Sequence, residues 1–368
     1  MTKIYFVRHV MSEGNLYHFW QGQQDLNITS AGAKQLELLE RVCESLEFDQ
    51  IYSSDLYRAK VTAESVRGSR DMKIIYDVRL REIFIGSEEL EPIGNTRRDR
   101  PWITDSFNND YMNFTCDGES MRDVSARMEE IIDEIALCHE GGSAAVVTHG
   151  GSIKAYLITH AVNAVPKLSS NASVTTVIYE NGKVTVTDVN CEASVMSENP
   201  YESPAGQLYF RAADYNRDFE EIGECGTDSW YAIYGNINDF DKSAFMKNVK
   251  GILEADPLSG YFAYQGDNVA GLVLMDTRQQ DEADVGHIAL VYMKPDYRHK
   301  GYGAQLIGKA LVFYRKKGMK ALRLNVARCN KSAQAFYKKH GFELTPKSKH
   351  TLSRNLVMKK NIEVPGLQ

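Results

Sequence analysis

The chain has 368 residues, 43% apolar and 25% charged, with 27 Gly and 9 Pro, a composition that excludes a disordered, collagen-like or low-complexity protein. At about 150 residues per domain the length points to two domains, each able to bury a core of its own. The net charge of −6 hides an asymmetry: residues 1–200 carry 19 basic against 30 acidic side chains, and residues 294–360 carry 18 against 2, so two units with different partners are expected.

The first apolar run, residues 4–7, is closed by Arg8. It is too short for a signal peptide's core or a bilayer span, so no membrane segment is expected. Six cysteines lie far apart with no CxxC pair. They are read as buried thiols of a reducing cytoplasm, where the protein is expected to reside, rather than a disulfide frame or a zinc site.

In chain order, KIYFV (3–7) reads as a strand. Residues 29–43 open on a Thr/Ser cap and place Leu36, Leu39 and Val42 at helical spacing. QIYSS (50–54) is a second strand, followed by a helix over 56–66. Residues 120–138 set Val124, Met128, Ile131, Ile132 and Ile135 on one helical face. SAAVVTH (143–149) is a buried strand, and residues 174–189 form a hairpin about Asn181-Gly182. This alternation predicts an α/β domain with a mainly parallel sheet. MSENPYESPAGQ (196–207) is the expected linker. From Leu208 the pattern predicts strands first, two of them around Gly266-Asp267-Asn268, and then β-α-β-α. That last series comprises a strand through GHIALVYMKP (286–295), a helix over 302–315, a strand over 320–327 and a helix over 332–339 ended by Gly341.

Two strands run into histidine, at Arg8-His9 and at His149-Gly150-Gly151. Ligands bind beyond the carboxyl ends of parallel strands, so both imidazoles are expected to face one cleft. A third strand leads to Arg58 at a helix start. Arg8 and Arg58 can clamp a phosphoryl group in bidentate fashion. A neutral imidazole is a competent phosphoryl acceptor near pH 7.

At these residues the sequence resembles the histidine phosphatase, or phosphoglycerate-mutase-like, superfamily. RHVMSEGN (8–15) is similar to its RHGE-S/T-x-x-N signature, DLNITSAGAKQ (25–35) to D-x-x-L-T-x-x-G-x-x-Q, and SSDLYRAKVTA (53–63) to S-x-L-x-R-A-x-x-T-A. LREIFIG (80–86), GESMRDVSAR (118–127) and VVTHGG (146–151) complete the order. The resemblance covers nearly all of residues 1–195 and implies a three-layer α/β/α domain. It further implies His9 as phosphohistidine nucleophile, a phosphate pocket of Arg8, Arg58, His149 and Asn15, Glu82 as the acid for the leaving oxygen, and no metal. Val10 and Met11 replace the family's Gly and Glu/Gln, and Ser194 stands where many members have a late histidine. β-Branched Val10 is expected to crowd the pocket mouth. Phosphomonoester hydrolysis is preferred. A phosphomutase, with residues 88–117 as lid and Arg97, Arg98 and Arg100 available, and a non-catalytic phosphate-sensing domain stay open.

The strand over 286–295 is followed by Arg298, His299, Lys300, Gly301, Tyr302, Gly303 and Ala304. Two glycines let the backbone approach a ligand, and a helix N-terminus there favours an anion. The stretch 291–311 resembles motif A of the GNAT acetyltransferases, V-x-P-x-x-R-x-x-G-x-G. LRLNVARCNKSAQAFYKKHGFE (322–343) resembles their later motif. The resemblance covers about residues 208–358 and implies an α+β acyl-CoA N-acyltransferase fold using acetyl-CoA. Backbone amides of residues 298–304 would hold the pyrophosphate, Val291 and Met293 the pantetheine arm, and Asn330 would contact the cofactor. Tyr337 would act as acid. His287 is a candidate base, with Glu282 and Asp284 weaker ones. The expected whole is a bifunctional enzyme acting on a small phosphoester and a small amine. No nucleic-acid partner is expected, because no stacking-aromatic motif is present, and the oligomeric state stays open.

Overall fold

The computed structural model describes residues 1–101, 117–163, 170–193, 206–278, 282–346, 348 and 353–365. The chain divides into two compact units, one mainly of Met1–Glu91 and Thr96–Asn199, the other of Pro92–Asn95 and Pro200–Pro365. The expected linker lies, from 196 to 205, outside the described residues, as do Ser194 and the lid residues 102–116.

Up to Asn190 the elements are β1 (Thr2–Arg8), α1 (Glu13–Tyr17), α2 (Ser30–Glu44), β2 (Gln50–Ser53), α3 (Tyr57–Arg67), β3 (Ile74–Tyr76), α4 (Ile93–Asp99), α5 (Met121–Cys138), β4 (Ser143–Thr148), α6 (Gly150–His160), β5 (Val174–Glu180) and β6 (Lys183–Asn190), all in the first unit except the first three residues of α4, which group with the second. The sheet order is β3-β2-β4-β1-β5-β6. The first four strands are mutually parallel, and β5 and β6 add an antiparallel hairpin. Asn181 and Gly182 both take positive φ, 50° and 75°, as its two-residue turn requires.

A central strand buries both faces, and the period of two divides its side chains between them. Ile4 and Phe6 of β1 join Ala144 and Val146 of β4 against Val124, Met128, Ile131 and Ile135 of α5 and Tyr156 of α6. Tyr5, Val7, Ala145 and Val147 face Leu39 and Cys43 of α2 and Ala59, Ala63 and Val66 of α3. The result is the three-layer α/β/α arrangement. Of the described cysteines, Cys43 and Cys225 are buried, and burial pushes both thiols up to about 12. Cys138 and Cys329 are exposed and Cys191 is half-buried, which corrects the expectation of buried thiols throughout.

The second unit comprises β7 (Tyr209–Ala212), α7 (Phe219–Tyr234), α8 (Lys242–Ala255), β8 (Gly260–Gln265), β9 (Asn268–Asp276), β10 (Val285–Met293), α9 (Gly303–Lys316), β11 (Ala321–Ala327), α10 (Lys331–Lys339), β12 (Glu343–Leu344) and β13 (Asn355–Asn361). Its sheet order is β12-β13-β11-β10-β9-β8-β7, with only β10 and β11 parallel among the described pairs. The expected order of strands first is incorrect, because α7 and α8 follow the first strand. Gly223, Gly226 and Thr227 weaken helix propensity in α7, but packing requires the glycines. A Cβ on Gly226 would lie 2.3 Å from the Phe245 ring, and one on Gly223 2.6 Å from Lys242. Ile222 and Cys225 of α7 pack with Met246, Val249 and Leu253 of α8 over Phe262, Leu272 and Leu274.

Helix α5 starts on a reciprocal cap. Ser120 Oγ accepts from the Asp123 amide at 3.1 Å, and Asp123 Oδ2 accepts from the Ser120 amide at 2.9 Å. Ser120→Ala should therefore lower the stability of the first unit by about 1 kcal/mol in urea titration. An unchanged midpoint would show that the cap adds nothing.

Candidate functional site

Parallel register brings three loops to one end of the first sheet. Arg8 lies opposite Thr148, and Ser53 opposite Val147. His9, His149 and Ser54, each next in its chain, therefore leave the sheet together. The His9 amide still donates to Thr148 O at 3.0 Å and the Ser54 amide to Val147 O at 2.9 Å. The two imidazole centroids are 5.1 Å apart, and both rings are buried.

His9 Nδ1 lies 2.7 Å from the Val10 carbonyl. A carbonyl only accepts, so Nδ1 carries the proton and Nε2 the lone pair. Burial, then the charges of Arg58 and Arg8, hold the His9 pKa well below the ordinary imidazole value, against an opposing pull from the Val10 bond. His149 is depressed in the same way by burial, followed by Arg58, His9, Arg127 and Arg8. Both rings are thus neutral at neutral pH.

Arg58, 1% exposed, is held by carbonyls of the loop before α2. Nη1 donates to Gln24 O at 3.0 Å and Nη2 to Gly22 O at 2.7 Å. Its Nε has no hydrogen-bond partner among the described residues. The expected fork is therefore partly used by the protein, and the Nε edge is the one left for an anion. Arg8 is half-buried at the end of β1 and interacts electrostatically with Glu82.

Glu82 sits on the first turn of α6. Oε2 accepts from the Gly151 amide at 3.2 Å, and Oε1 from the amides of Ser152 at 3.2 Å and Ile83 at 3.0 Å. The helix dipole favours a carboxylate there. A Cβ on Gly151 would come 2.4 Å from Oε1, so this approach needs the second glycine of THGG.

Several residues that sequence reasoning left without a role build the frame. Arg127 Nη1 donates to the carbonyls of Arg79 and Arg81, both at 2.7 Å, and Nη2 to Glu82 O at 3.1 Å. Glu119 anchors the same guanidinium at 2.8 Å and also accepts from the Phe84 amide. Thr62 Oγ1 accepts from the Val10 amide at 3.1 Å, and Gln35 Oε1 from the Met11 amide at 2.7 Å. A Cβ on Gly32 would meet Met11 O at 2.2 Å. Their signal was their place inside the quoted motif segments.

Two expectations change. Val10 does not crowd the pocket mouth: its side chain is fully buried in the core with Leu39, Ala59 and Ala63. Asn15 Oδ1 is engaged in the loop itself, accepting from Ser12 N at 3.1 Å, Ser12 Oγ at 2.8 Å and Asn171 Nδ2 at 3.3 Å. Arg100 pairs with the buried Glu88 carboxylate at 2.5 Å, and Arg97 acts electrostatically on His18.

In the second unit, β10 pairs with β11 only over Val285–Ile288. Its pairing with β9 continues to Met293 across an irregularity at Ala289. From Leu290 to Met293, Val291 included, the β11-side edge of β10 has no strand partner among the described residues. Beyond it, His299 and Gly301 take φ of 59° and 84°, His299 and Lys300 are exposed, and α9 begins at Gly303. An open extended edge leading to a helix N-terminus fits the arm and pyrophosphate of acetyl-CoA.

The expected contacts narrow, however. The Arg298 amide donates to Pro295 O at 3.1 Å and the Ala304 amide to Gly301 O at 3.3 Å. Met293 O accepts from Arg298 Nε at 2.8 Å. Gly303 makes room for a side chain as well, since a Cβ there would lie 3.1 Å from the Phe336 ring. Tyr302 is buried edge-on to Tyr297. Asn330 caps α10, accepting from the Ala333 amide at 3.0 Å. Tyr337 is buried edge-on to Phe336 and Phe342, and burial pushes its phenol pKa up, so it stays protonated. His287 is buried, cross-strand from Asp276, whose carboxylate Arg278 holds at 2.8 Å. Glu282 is surface-paired with Lys359 at 2.7 Å, and Asp284 is exposed before β10.

The model of the family described as Histidine phosphatase superfamily (branch 1) matches residues 4–192, and that of the Acetyltransferase (GNAT) family matches residues 220–342. The curated protein "Probable phosphoglycerate mutase GpmB" of Salmonella arizonae is 32% identical over 151 residues, 41% of this chain and 70% of that protein. Its namesake in Yersinia enterocolitica is 29% identical over 160 residues, covering 43% and 74%. Among solved structures, Bacillus stearothermophilus YhfR is similar over 51% of this chain and 96% of that one, at 31% identity and a TM-score of 0.47.

Unfolding lets His149 titrate at about 6.5, whereas the folded pocket refuses the proton. Between pH 7 and 5.5 the unfolded state therefore binds more protons, and stability falls as pH falls. His149→Gln should flatten that dependence by about 1 kcal/mol per pH unit in urea titrations. An unaltered slope would mean that His149 charges freely in the fold.

Proposed function

Because this chain belongs to the histidine phosphatase superfamily through residues 4–192 and carries a GNAT acetyltransferase domain at residues 220–342, we propose that it is a bifunctional enzyme. In this reading residues 1–195 hydrolyse a small-molecule phosphomonoester, and residues 208–368 transfer an acetyl group to a small amine. The observation that carries the first activity is the neutral His9 ring, tied through Nδ1 to Val10 O and set beside His149.

The His9 Nε2 lone pair attacks phosphorus as the bond to the leaving oxygen breaks. Glu82, a carboxylate in the free site, takes a proton from water when the phosphoester anion binds beside it and gives that proton to the leaving oxygen. Arg8 and Arg58 neutralise charge on the phosphoryl oxygens and the neutral His149 ring donates a hydrogen bond to them, so the two guanidiniums take the place a metal ion would have. Water then attacks the phosphohistidine, Glu82 takes back a proton, and His9 returns to the neutral state with inorganic phosphate released. The curated relatives named as mutases support a second reading, in which a substrate hydroxyl replaces water. Release of inorganic phosphate, against isomerised phosphoester, distinguishes the two.

His9→Ala should abolish both turnover and an acid-labile phosphoryl label. Glu82→Gln should slow esters with poor leaving groups more than an aryl phosphate, since only the former need the proton. Full turnover in the first variant, or equal slowing in the second, would remove these assignments.

In the second half, acetyl-CoA supplies a thioester when bound. Val291 on the open edge and the loop 299–303 would hold it, with exposed Lys300 adding charge. Tyr337 holds a proton at Oη for the departing sulfur. His287 is the base of this reading, two residues before the irregularity in β10. Tyr337→Phe keeps the packing and should lower acetyl transfer about 10²- to 10⁴-fold with little change in cofactor affinity. His287→Ala should lose rate below about pH 8 and recover at higher pH, where the amine deprotonates unaided. Unchanged rates in both variants, with a true acceptor amine, would leave the fold without this chemistry.

A further inference from the structure

Ser54 belongs to the buried floor of the phosphatase pocket and has no part in the reaction described above. Its side chain has two neighbours. The Leu56 amide donates to Oγ at 3.3 Å. His149 Nε2 lies 2.8 Å from the same oxygen. Ser54 and His149 are both fully buried, so no solvent compensates a wrong arrangement. His149 Nδ1 has no hydrogen-bond partner among the described residues.

We propose that Ser54 is a positioning residue that fixes the tautomer of His149, making its Nδ1–H a donor to a phosphoryl oxygen. A hydroxyl has one hydrogen and two lone pairs. The Leu56 amide must use a lone pair, which leaves the Ser54 hydrogen to be placed. Among the described contacts of Oγ, His149 Nε2 is the one acceptor in reach. Nε2 then accepts, and a neutral His149 carries its proton on Nδ1. The opposite tautomer would bury a hydroxyl hydrogen without an acceptor and turn a bare lone pair toward an anion. Both cost free energy in a dry pocket.

The two histidines are consequently opposite tautomers of one device. The Val10 carbonyl directs the proton of His9 to Nδ1 and frees Nε2 for attack. Ser54 directs the proton of His149 to the nitrogen that faces no protein partner. The orphaned Nδ1 is explained if a ligand oxygen completes it. This inference rests on the reading of the pocket as a phosphoryl site.

Nitrogen-15 NMR of histidine-labelled full-length protein at pH 7.5 tests it, with the His149 signals assigned by their loss in His149→Gln. The wild type should show Nδ1 protonated and Nε2 bare, and orthovanadate should perturb Nδ1 of His149. Ser54→Thr should retain this pattern. Ser54→Ala should move proton population to Nε2 and lower kcat/KM about 3- to 10-fold, the range for one neutral hydrogen bond. A proton on Nε2 in the wild type overturns the proposal, and this result needs no variant to fold. An unchanged spectrum in Ser54→Ala overturns it too. Absence of turnover with every phosphoester would instead defeat the phosphatase reading, and the wild-type spectrum would still decide the tautomer.

Discussion

The first unit depends on the common register of β1, β4 and β2. Parallel strands that end level deliver His9, His149 and Ser54 to one place without any of them needing to reach. Because β1 and β4 are buried on both faces, a slip of register would turn core side chains into the wrong layer. The hydrophobic layers that hold the sheet together are thus the same constraint that sets the distance between the two imidazoles.

The buried Arg58 guanidinium and the half-buried Arg8 beside two histidines would be costly without compensation. The structure offsets this with neutral rings, with the carbonyls of Gly22 and Gln24 on Arg58, and with the Glu82, Asp25 and Glu89 charges that act on it. Glu82 in turn is held by the amides at the start of α6, and its loop by Arg127. The site is therefore an electrostatically balanced cluster of buried groups.

Much of this was legible in the sequence. Period-two apolar runs and capped helical stretches located most elements of the first unit, and His9 and His149 are brought together as their strand-end positions implied; Arg58 was expected at a helix start, and Glu82 only through the motif resemblance. Other features were not legible for physical reasons. Whether Val10 faces the pocket or the core depends on a loop held by Thr62 and Gln35, two residues distant in sequence. Helix α7 is weak by propensity and forms because its glycines fit against Phe245 and Lys242. In the second unit, the glycines of the loop before α9 suggested ligand approach, but Gly303 also accommodates Phe336, and Asn330 spends its oxygen on a helix cap. A motif shows that a small or polar residue is needed without showing which neighbour needs it.

The account turns on which atom of His9 meets phosphorus. A crystal structure of the full chain with orthovanadate measures this directly. The account predicts vanadium bonded to His9 Nε2, with Arg58 Nε and His149 Nδ1 on the equatorial oxygens and Glu82 at the apical oxygen opposite His9. Vanadate bound away from His9, or held with Nε2 turned from the metal centre, would contradict it.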